Sequence, residues 1–479
     1  AGNLLAALPI TMPERLRDFT GQTSGTVNLT GLPNESQGEI NLASTGGTVA
    51  GQAFDSLNVK AVFAGTLITL ENAEIRLGQG LLTAKGTYDH ASHVFNADAA
   101  GQNVPLPLAL SFLPANVSMP TVAGLTDFTA SLTGDTDDSA TYNFNFSGNA
   151  RDVVVNDNPF GPITFSGTTA NQILTADLTA TLEGRPQVVN ATVNFGDADM
   201  PFRLTHTMDR SPLGPFFSLV PQLNGISVTG TGTGNVEFGG NLLKLEPDGT
   251  RVFTSEYLAG SARFSQLALQ IQDTPLVATE PVVVRFSPNE ITFDSARFSG
   301  GGSNMTIAGT VSIVPNGSNN LTVNGRVNLA LLNAFPQIGA TDTFFSGFAD
   351  VAIRITGPAR TLSGTAELQN ASVAAFFGAS RLTANRLNGR ILFSSNQAQI
   401  DRMTGMLGGG EFVASGGALF GENLQVDRFR VELNGSNVTV PVPEDFITTG
   451  DARLVFSGDR VRGTLVTLLE GNILARRSI

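Results

Sequence analysis

Residues 280–309 read EPVVVRFSPNEITFDSARFSGGGSNMTIAG, and the same pattern recurs without gaps at residues 57–86 and 387–416. The aligned apolar positions are Phe63, Phe286 and Phe393, then Leu70, Phe293 and Ile400, and each copy closes on a glycine, namely Gly86, Gly309 and Gly416. Three ungapped matches of this length indicate that the chain is an array of one large repeat.

A second recurring element is a short apolar stretch that ends at a proline. This pattern predicts a helical turn or two, stopped by the proline. The prolines are Pro9, Pro114, Pro221, Pro336 and Pro443, which lie 105, 107, 115 and 107 residues apart (114−9, 221−114, 336−221 and 443−336). We therefore predict one continuous array of repeats at 1–107, 108–215, 216–328 and 329–442, with 443–479 beginning a further repeat or a C-terminal domain.

Between these stretches, apolar and polar residues alternate. Residues 321–329, LTVNGRVNL, are typical, and period two over five to nine residues is the signature of a β-strand. Turn signals separate the runs at Pro33-Asn34, Asp248-Gly249, Pro315-Asn316-Gly317, Asn388-Gly389 and Asn434-Gly435. Short connections favour hairpins, so we predict an all-β, mainly antiparallel, elongated and curved sheet.

A sheet with one apolar face must bury that face. A second sheet packed on it would give β-sandwich repeats with dry protein cores, whereas a curled sheet would leave an apolar trough that acyl chains could fill. The predicted lining residues of such a trough are Phe63, Leu70, Phe165, Phe286, Phe293, Phe393, Ile400, Val323, Val327, Val351, Ile353 and Ile355. Alternation alone does not choose between the sandwich and the trough.

Composition excludes several function classes. The net charge of −13 argues against nucleic-acid binding, which needs a basic surface. Without cysteine the chain has no disulfide, thiolate metal site or cysteine nucleophile. The absence of tryptophan and the presence of only 3 tyrosines argue against a polysaccharide-acting enzyme, which uses aromatic platforms.

Candidate chemical motifs are sparse. His90 and His93 have a spacing that could serve a metal, and residues 135–138 (DTDD) are acidic, but each is more simply a polar turn. The glycine triplets 300–302 and 408–410 lack the helix and lysine of a phosphate loop, so we interpret them as turns or bulges. Acidic residues recur once per repeat at Glu71, Asp294 and Asp401, which indicates a structural role. We expect no catalytic residue, metal or cofactor.

The repeat resembles the TamB and AsmA-like family of Gram-negative envelope proteins. Two stretches carry the resemblance: residues 329–357, LALLNAFPQIGATDTFFSGFADVAIRITG, with 362–368, LSGTAEL, and residues 461–477, VRGTLVTLLEGNILARR. The second stretch is similar to the G-x-[IVL]-x-[IVL]-x-x-G strand that opens the C-terminal domain of TamB-like proteins. The resemblance covers essentially the whole chain, through structural motifs only.

The resemblance implies a β-taco, which is a long U-shaped sheet around an apolar groove, with a short helical segment in each repeat. It also implies a non-enzymatic periplasmic protein that holds phospholipid acyl chains between the inner and outer membranes or assists outer-membrane protein assembly. The implied partners are phospholipids, the inner membrane through an N-terminal anchor outside this sequence, and a TamA/BamA-like outer-membrane barrel. The alternative is an extracellular β-repeat stalk or adhesin with dry cores.

Overall fold

A computed structural model describes residues 20–31, 36–49, 51–111, 120–217, 225–254, 256–335, 343–358, 360–377, 380–421, 426–440, 446–459 and 463–477. These residues form 29 strands, two short α-helices and one 3-10 helix. Within this part of the chain, 27 strands belong to one sheet, and β14 and β15 form a separate ribbon. The prediction of an all-β, antiparallel protein is confirmed.

The chain divides into two compact units. Unit 1 comprises Ala1–Leu219 and Gly234–Gly260, and unit 2 comprises Val220–Thr233 and Ser261–Ile479. Strand β13 (Val228–Asn241) is divided between them, and β16 (Ala259–Ile271) lies in unit 2 from Ser261 onward. The repeat boundaries proposed from the sequence stay a prediction.

Unit 1 contains β1 (Thr20–Thr30), β2 (Ser36–Val49), β3 (Gln52–Gly65), β4 (Leu67–Leu77), β5 (Gly80–Asp89), β6 (Val94–Pro105), α1 (Leu106–Leu110), β7 (Val122–Asp135), β8 (Asp138–Val155), β9 (Asn158–Ala170), β10 (Ile173–Leu182), β11 (Arg185–Asn194), β12 (Pro201–Pro212), α2 (Gly214–Phe217), β14 (Leu243–Leu245) and β15 (Arg251–Phe253). Strands β1 to β12 each pair with the next strand along the chain. Unit 1 is therefore a meander of hairpins, as the short connections predict.

Unit 2 contains β17 (Thr274–Ala278), β18 (Val282–Phe286), β19 (Glu290–Gly300), β20 (Ser303–Ser312), β21 (Asn319–Asn328), a 3-10 helix (Leu329–Ala334), β22 (Phe344–Gly357), β23 (Thr361–Phe377), β24 (Ser380–Ser395), β25 (Gln397–Leu407), β26 (Gly410–Phe420), β27 (Val426–Val440), β28 (Phe446–Asp459) and β29 (Gly463–Arg477). Strands β18 to β29 also pair in chain order.

The repeated sequence block forms the same three-stranded piece each time: β3–β5, β18–β20 and β24–β26. In the middle copy Val284 pairs with Phe293 and Phe286 pairs with Ile291, so these apolar residues of the block lie in one antiparallel strand pair. The central strand of every copy contains a β-bulge, between Leu70 and Ala73, Phe293 and Ala296, and Ile400 and Met403. The recurring acids Glu71, Asp294 and Asp401 each follow the first residue of this bulge and are exposed.

An exposed acid at a bulge faces solvent because the extra residue leaves the regular ladder. Glu71 forms an ion pair with Lys60 at 2.6 Å, and Asp294 forms one with Arg285. The structural role predicted for these acids is therefore to occupy a solvent-facing position within a β-bulge. Such exposed pairs contribute little to the free energy of folding.

Glycines serve two different purposes in this sheet. Gly78, Gly301 and Gly408 have φ values of +63°, +55° and +58° and open two-residue hairpin turns, so the interpretation of the glycine triplets as turns is confirmed. The predicted turns at Asn388-Gly389 and Asn434-Gly435 are wrong, because both pairs lie inside long strands, β24 and β27. There each glycine fits a crowded position: a Cβ on Gly389 would lie 2.7 Å from the Arg402 carbonyl oxygen.

Short helices occur at three of the five stretches that the prolines predict, as α1, α2 and the 3-10 helix. Asn328 caps the 3-10 helix, since its side-chain oxygen accepts a 2.9 Å hydrogen bond from the Ala330 N–H. The stretch before Pro9 and the residues 441–443 lie outside the described residues, so one helix per repeat stays a prediction. No helix in the described part of the chain has both the length and the apolarity needed to cross a bilayer.

Candidate apolar binding face

The strand register of unit 2 aligns apolar residues in rows that cross the strands. One row, here the central row, passes through β20 to β28 with a single residue from each strand: Met305, Gly325, Val351, Ala366, Ile391, Ile400, Gly416, Val431 and Phe456. Directly paired residues in antiparallel strands project from the same face. The central row is therefore a continuous apolar strip without a charged side chain.

Parallel rows lie on both sides of the central row. The outer row consists of Ile307, Val323, Ile353, Gly364, Phe393, Ala398, Ala418, Phe429 and Gly458. The buried row consists of Ala349, Leu368, Gly389, Met403, Ala414, Leu433 and Leu454. The bulges do not interrupt these rows, because each bulge returns the next apolar residue to the same face.

The buried row is the least exposed part of this face. Leu433 and Leu454 of the buried row are only 5% and 4% exposed, and they belong to a core cluster that also contains Leu329 of the 3-10 helix. Val351, Ile391 and most other central-row side chains are half-buried against that cluster, and the outer row is half-buried as well. The face is thus most buried beside the 3-10 helix, and the central and outer rows are more exposed than the buried row.

The described residues contain no separate second sheet of similar size that could pack on this face. Outside the main sheet, that part of the chain has only three short helices and the β14–β15 ribbon. A sandwich core would require a second sheet packed about 10 Å away. The half-buried valine, isoleucine and phenylalanine side chains on this face keep part of their surface exposed.

Unit 1 has the same organisation with smaller side chains. Its main row runs through β2 to β12 as Leu42, Val59, Ala73, Ala84, Ala99, Ala130, Phe146, Gly167, Ala176, Ala191 and Leu204. The adjacent row is Leu57, Ile75, Leu82, Gly101, Phe128, Gly148, Phe165, Leu178, Val189 and His206. Phenylalanine rings fill the space beside glycines, since a Cβ on Gly101 would lie 2.4 Å from the Phe128 ring.

The predicted lining residues are distributed over several rows of the two units. In unit 2, Val351 and Ile400 lie in the central row, Val323, Ile353 and Phe393 in the outer row, and Phe293 and Ile355 one position beyond it. Val327 pairs with Ala349 of the buried row, and Phe286 lies on the short strand β18. In unit 1, Leu70 and Phe165 share one face with Phe63, which is buried at 4% exposure, whereas the other eleven residues are half-buried.

The adjacent row of unit 1 ends at a titratable residue that sequence reasoning missed. His206 is 7% exposed, its Nε2 lies 3.0 Å from the Gln187 Oε1, and its ring lies 5.4 Å from the ring of Phe216 in α2. Burial lowers the pKa of His206, since the charged imidazolium is desolvated there. The alternation around residues 204–208 places the His206 side chain on the apolar face. That alternation is the sequence signal from which a buried histidine could have been predicted.

Two carboxylates stabilise strand residues that have left-handed backbones. Asp127 accepts a 2.6 Å hydrogen bond from the backbone N–H of Asn103 (φ +51°) and binds the Arg151 guanidinium at 2.8 Å. Asp451 accepts a 2.9 Å hydrogen bond from the N–H of Asn437 (φ +55°). The backbone hydrogen bond from Asn103 is the main reason why the pKa of Asp127 is lowered.

The two units differ in charge. By sequence, unit 1 has 11 Lys and Arg against 24 Asp and Glu, and unit 2 has 17 Arg, no Lys and 17 Asp and Glu. The entire net charge of −13 therefore belongs to unit 1, whereas unit 2 is neutral overall.

Comparisons with known protein families, with curated proteins and with solved structures found no match to this chain. The resemblance to TamB and AsmA-like proteins therefore stays a prediction that rests on the residues quoted above.

Proposed function

We propose that this protein is a non-enzymatic lipid conduit or scaffold of a bacterial envelope, which holds phospholipid acyl chains along its apolar face. The observation that carries the proposal is the pair of neighbouring apolar rows in unit 2, the central row and the outer row. Most of their side chains are half-buried, and none is charged. A catalytic site would require a particular cluster of polar groups, whereas these rows repeat one apolar profile from strand to strand.

The dimensions of the rows suit acyl chains. Nine strands at a spacing of about 4.8 Å give the central row a length of roughly 38 Å. An acyl chain extends about 15 Å, which is half of a ~30 Å bilayer core, so the row has room for more than one chain. Each buried methylene contributes about 0.8 kcal/mol relative to water, and partial burial on this face would offset much of the cost of taking a lipid out of a bilayer.

The movement of lipids along the protein also favours an open apolar face over a closed pocket. A lipid moving along a face of repeated apolar residues meets similar surroundings at every strand, so no single position traps it. Head groups would remain in water beyond the outer row. Net movement would then require a concentration gradient or an energised partner.

The setting of this activity follows from the resemblance alone. We extend the proposal to a periplasmic protein whose groove has the β-taco shape, anchored in the inner membrane by a segment outside this sequence. A TamA/BamA-like outer-membrane barrel would be its protein partner, and assistance to outer-membrane protein assembly would be a second role.

The proposal is tested by a photo-crosslinking amino acid, p-benzoylphenylalanine, placed at Phe393. The matched control is Leu392, which is 40% exposed and occupies the next position on the same strand, so it projects from the opposite face. After irradiation in a Gram-negative host, mass spectrometry should find phospholipid adducts at residue 393 and not at residue 392. Phe293 and its neighbour Thr292 provide a second pair.

Equal adducts on both faces, or none at either pair, would contradict the proposal. Absence of lipid from the purified protein by native mass spectrometry, together with no adducts, would favour the stalk or adhesin with dry cores.

A further inference from the structure

Two hairpin turns of unit 1 bring together side chains that are 42 residues apart in sequence (93 to 135). His93 ends the turn between β5 and β6, Asp135 is the last residue of β7, and Asp137 lies in the turn between β7 and β8. The register of β6 and β7 pairs Val94 with Asp135 and therefore places the turns side by side. A backbone hydrogen bond of 3.0 Å from the Thr136 N–H to the His93 carbonyl joins them directly.

Three ligand atoms converge at this junction. One atom each from His93, Asp135 and Asp137 lies within 4.8 Å of the others, and the His93 Nδ1 is 2.5 Å from the Asp137 Oδ2. Ligands that bind one ion at about 2.0–2.2 Å are separated from one another by at most about 4.4 Å. Small rotations of these side chains, which also open the hydrogen bond between His93 and Asp137, would satisfy that limit.

The turn orients one of the two carboxylates before any ion arrives. One oxygen of Asp135 accepts a hydrogen bond from the Asp137 N–H at 2.9 Å. The backbone of His93 is left-handed, with φ +60°, and its ring contacts the Asp137 carboxylate. The site therefore draws on two separate turns, each with its own local geometry.

The local charge favours a cation, because the Asp135 and Asp137 carboxylates both lie beside the His93 ring. A metal ion takes the place of the proton on the imidazole nitrogen, so the ion and the proton compete for that atom.

We propose that His93, Asp135 and Asp137 form a binding site for a divalent transition-metal ion, with Zn²⁺ as the best match. One imidazole nitrogen and two carboxylate oxygens leave a fourth position for water, which suits Zn²⁺ in tetrahedral geometry. Ca²⁺ prefers six to eight oxygen ligands, so this donor set disfavours it. The bound ion would fasten the β5–β6 turn to the β7–β8 turn, and the site is independent of the lipid proposal.

The experiment is a calorimetric titration of ZnCl₂ into the chelator-treated full chain at pH 7.5. We expect one Zn²⁺ per chain at this site, and an affinity at least about tenfold lower in His93→Gln and in Asp137→Asn. The matched controls are His90→Gln and Asp138→Asn, which change the same residue types in the same two turns outside the cluster. They should bind Zn²⁺ as the wild type does, and CaCl₂ should show at least about tenfold weaker binding.

A thermal shift supplies a second readout, because an ion that binds only the folded state raises Tm. Zn²⁺ should raise the Tm of the wild type and of both controls, but not that of His93→Gln. If one variant fails to fold, Asp135→Asn replaces it. Wild-type affinity in His93→Gln and Asp137→Asn, or an equal loss in His90→Gln, would overturn the proposal.

Discussion

Phe293 lies directly opposite Gly309 in the antiparallel pair β19–β20. The same pairing recurs as Leu70 with Gly86 and as Ile400 with Gly416. The requirement for glycine at position 309 comes from the neighbouring strand β21 and not from the large side chain of Phe293. A Cβ on Gly309 would lie 2.0 Å from the Asn320 carbonyl oxygen on β21, and the φ of Gly309 is +107°. The repeat therefore maintains a close approach between two backbones.

Replacement of Gly309 by alanine should lower the free energy of unfolding by about 2–3 kcal/mol, because the Cβ adds a steric clash to an unfavourable φ. Gly357→Ala is the matched control: its φ is +72°, but nothing lies within 4 Å of the position that its Cβ would occupy. The control should cost about 1 kcal/mol from backbone strain alone. Urea unfolding of both variants measures the difference, and equal costs would show that the approach to β21 is unimportant.

Asp127→Asn should destabilise unit 1 by on the order of 1 kcal/mol at pH 7, since it weakens the bond to Asn103 and removes the charge that faces Arg151. The pKa of Asp127 is lowered in the folded state, so its contribution is present above the ordinary aspartate pKa and is lost as pH falls through the folded value. Unfolding curves of the wild type and the variant should therefore converge at low pH. Asp98→Asn, an exposed carboxylate, is the control and should change little.

The pKa values of His206 and His93 should depart in opposite directions from that of an ordinary histidine. The lowered pKa of His206 means that the unfolded chain takes up its proton first, so stability falls as pH drops below about 6.5 toward the folded value. The raised pKa of His93 gives stability that is present below about 6.5 and is lost as pH rises through the folded value.

An NMR pH titration can follow both rings in metal-free protein, because the chain has 3 histidines and glutamine substitutions assign the signals. In addition, His206→Gln should reduce the loss of stability between neutral pH and pH 5. A His206 ring that titrates above His93 would refute the assignment.

The difference in burial between the buried row and the central row predicts unequal effects of alanine substitutions on one strand. The effect compared is the decrease in the free energy of unfolding. Leu433→Ala, in the buried row, should lower the free energy of unfolding by about 3 kcal/mol, because it leaves a cavity in the core cluster. Val431→Ala projects from the same face of β27 but is half-buried in the central row, and should cost about 1 kcal/mol. Denaturant titration compares them, and equal costs would mean that the face is closed on both sides.

Alternation and the repeated block were sufficient to predict the strands, their antiparallel pairing and the shared face of residues such as Val323 and Ile353. Period two fixes which side chains share a face, and short connections fix which strands are neighbours. The turn predictions at Asn388-Gly389 and Asn434-Gly435 failed. In both pairs the glycine lies inside a strand, at a position too crowded for a Cβ, and does not form a turn. Gly435 instead sits opposite Phe412 in the middle of β27.

Other features depend on register, which alternation does not specify. The approach of His93 to Asp137 exists only because Val94 pairs with Asp135, and a shift of one residue between β6 and β7 would separate the two turns. The role of Asp127 was equally hidden, because it depends on a left-handed residue in the preceding strand. Both contacts join neighbouring strands through turns or irregularities, where sequence patterns are weakest.

The pairing of nearly every strand with its sequence neighbour has a consequence for how the protein forms. Each hairpin meets its partner soon after synthesis, so ordering can begin at one end and spread strand by strand, without waiting for distant segments. The chain could therefore acquire structure while it is still being synthesised. Damage at one hairpin should equally stay local, and the remaining strands would keep their pairing.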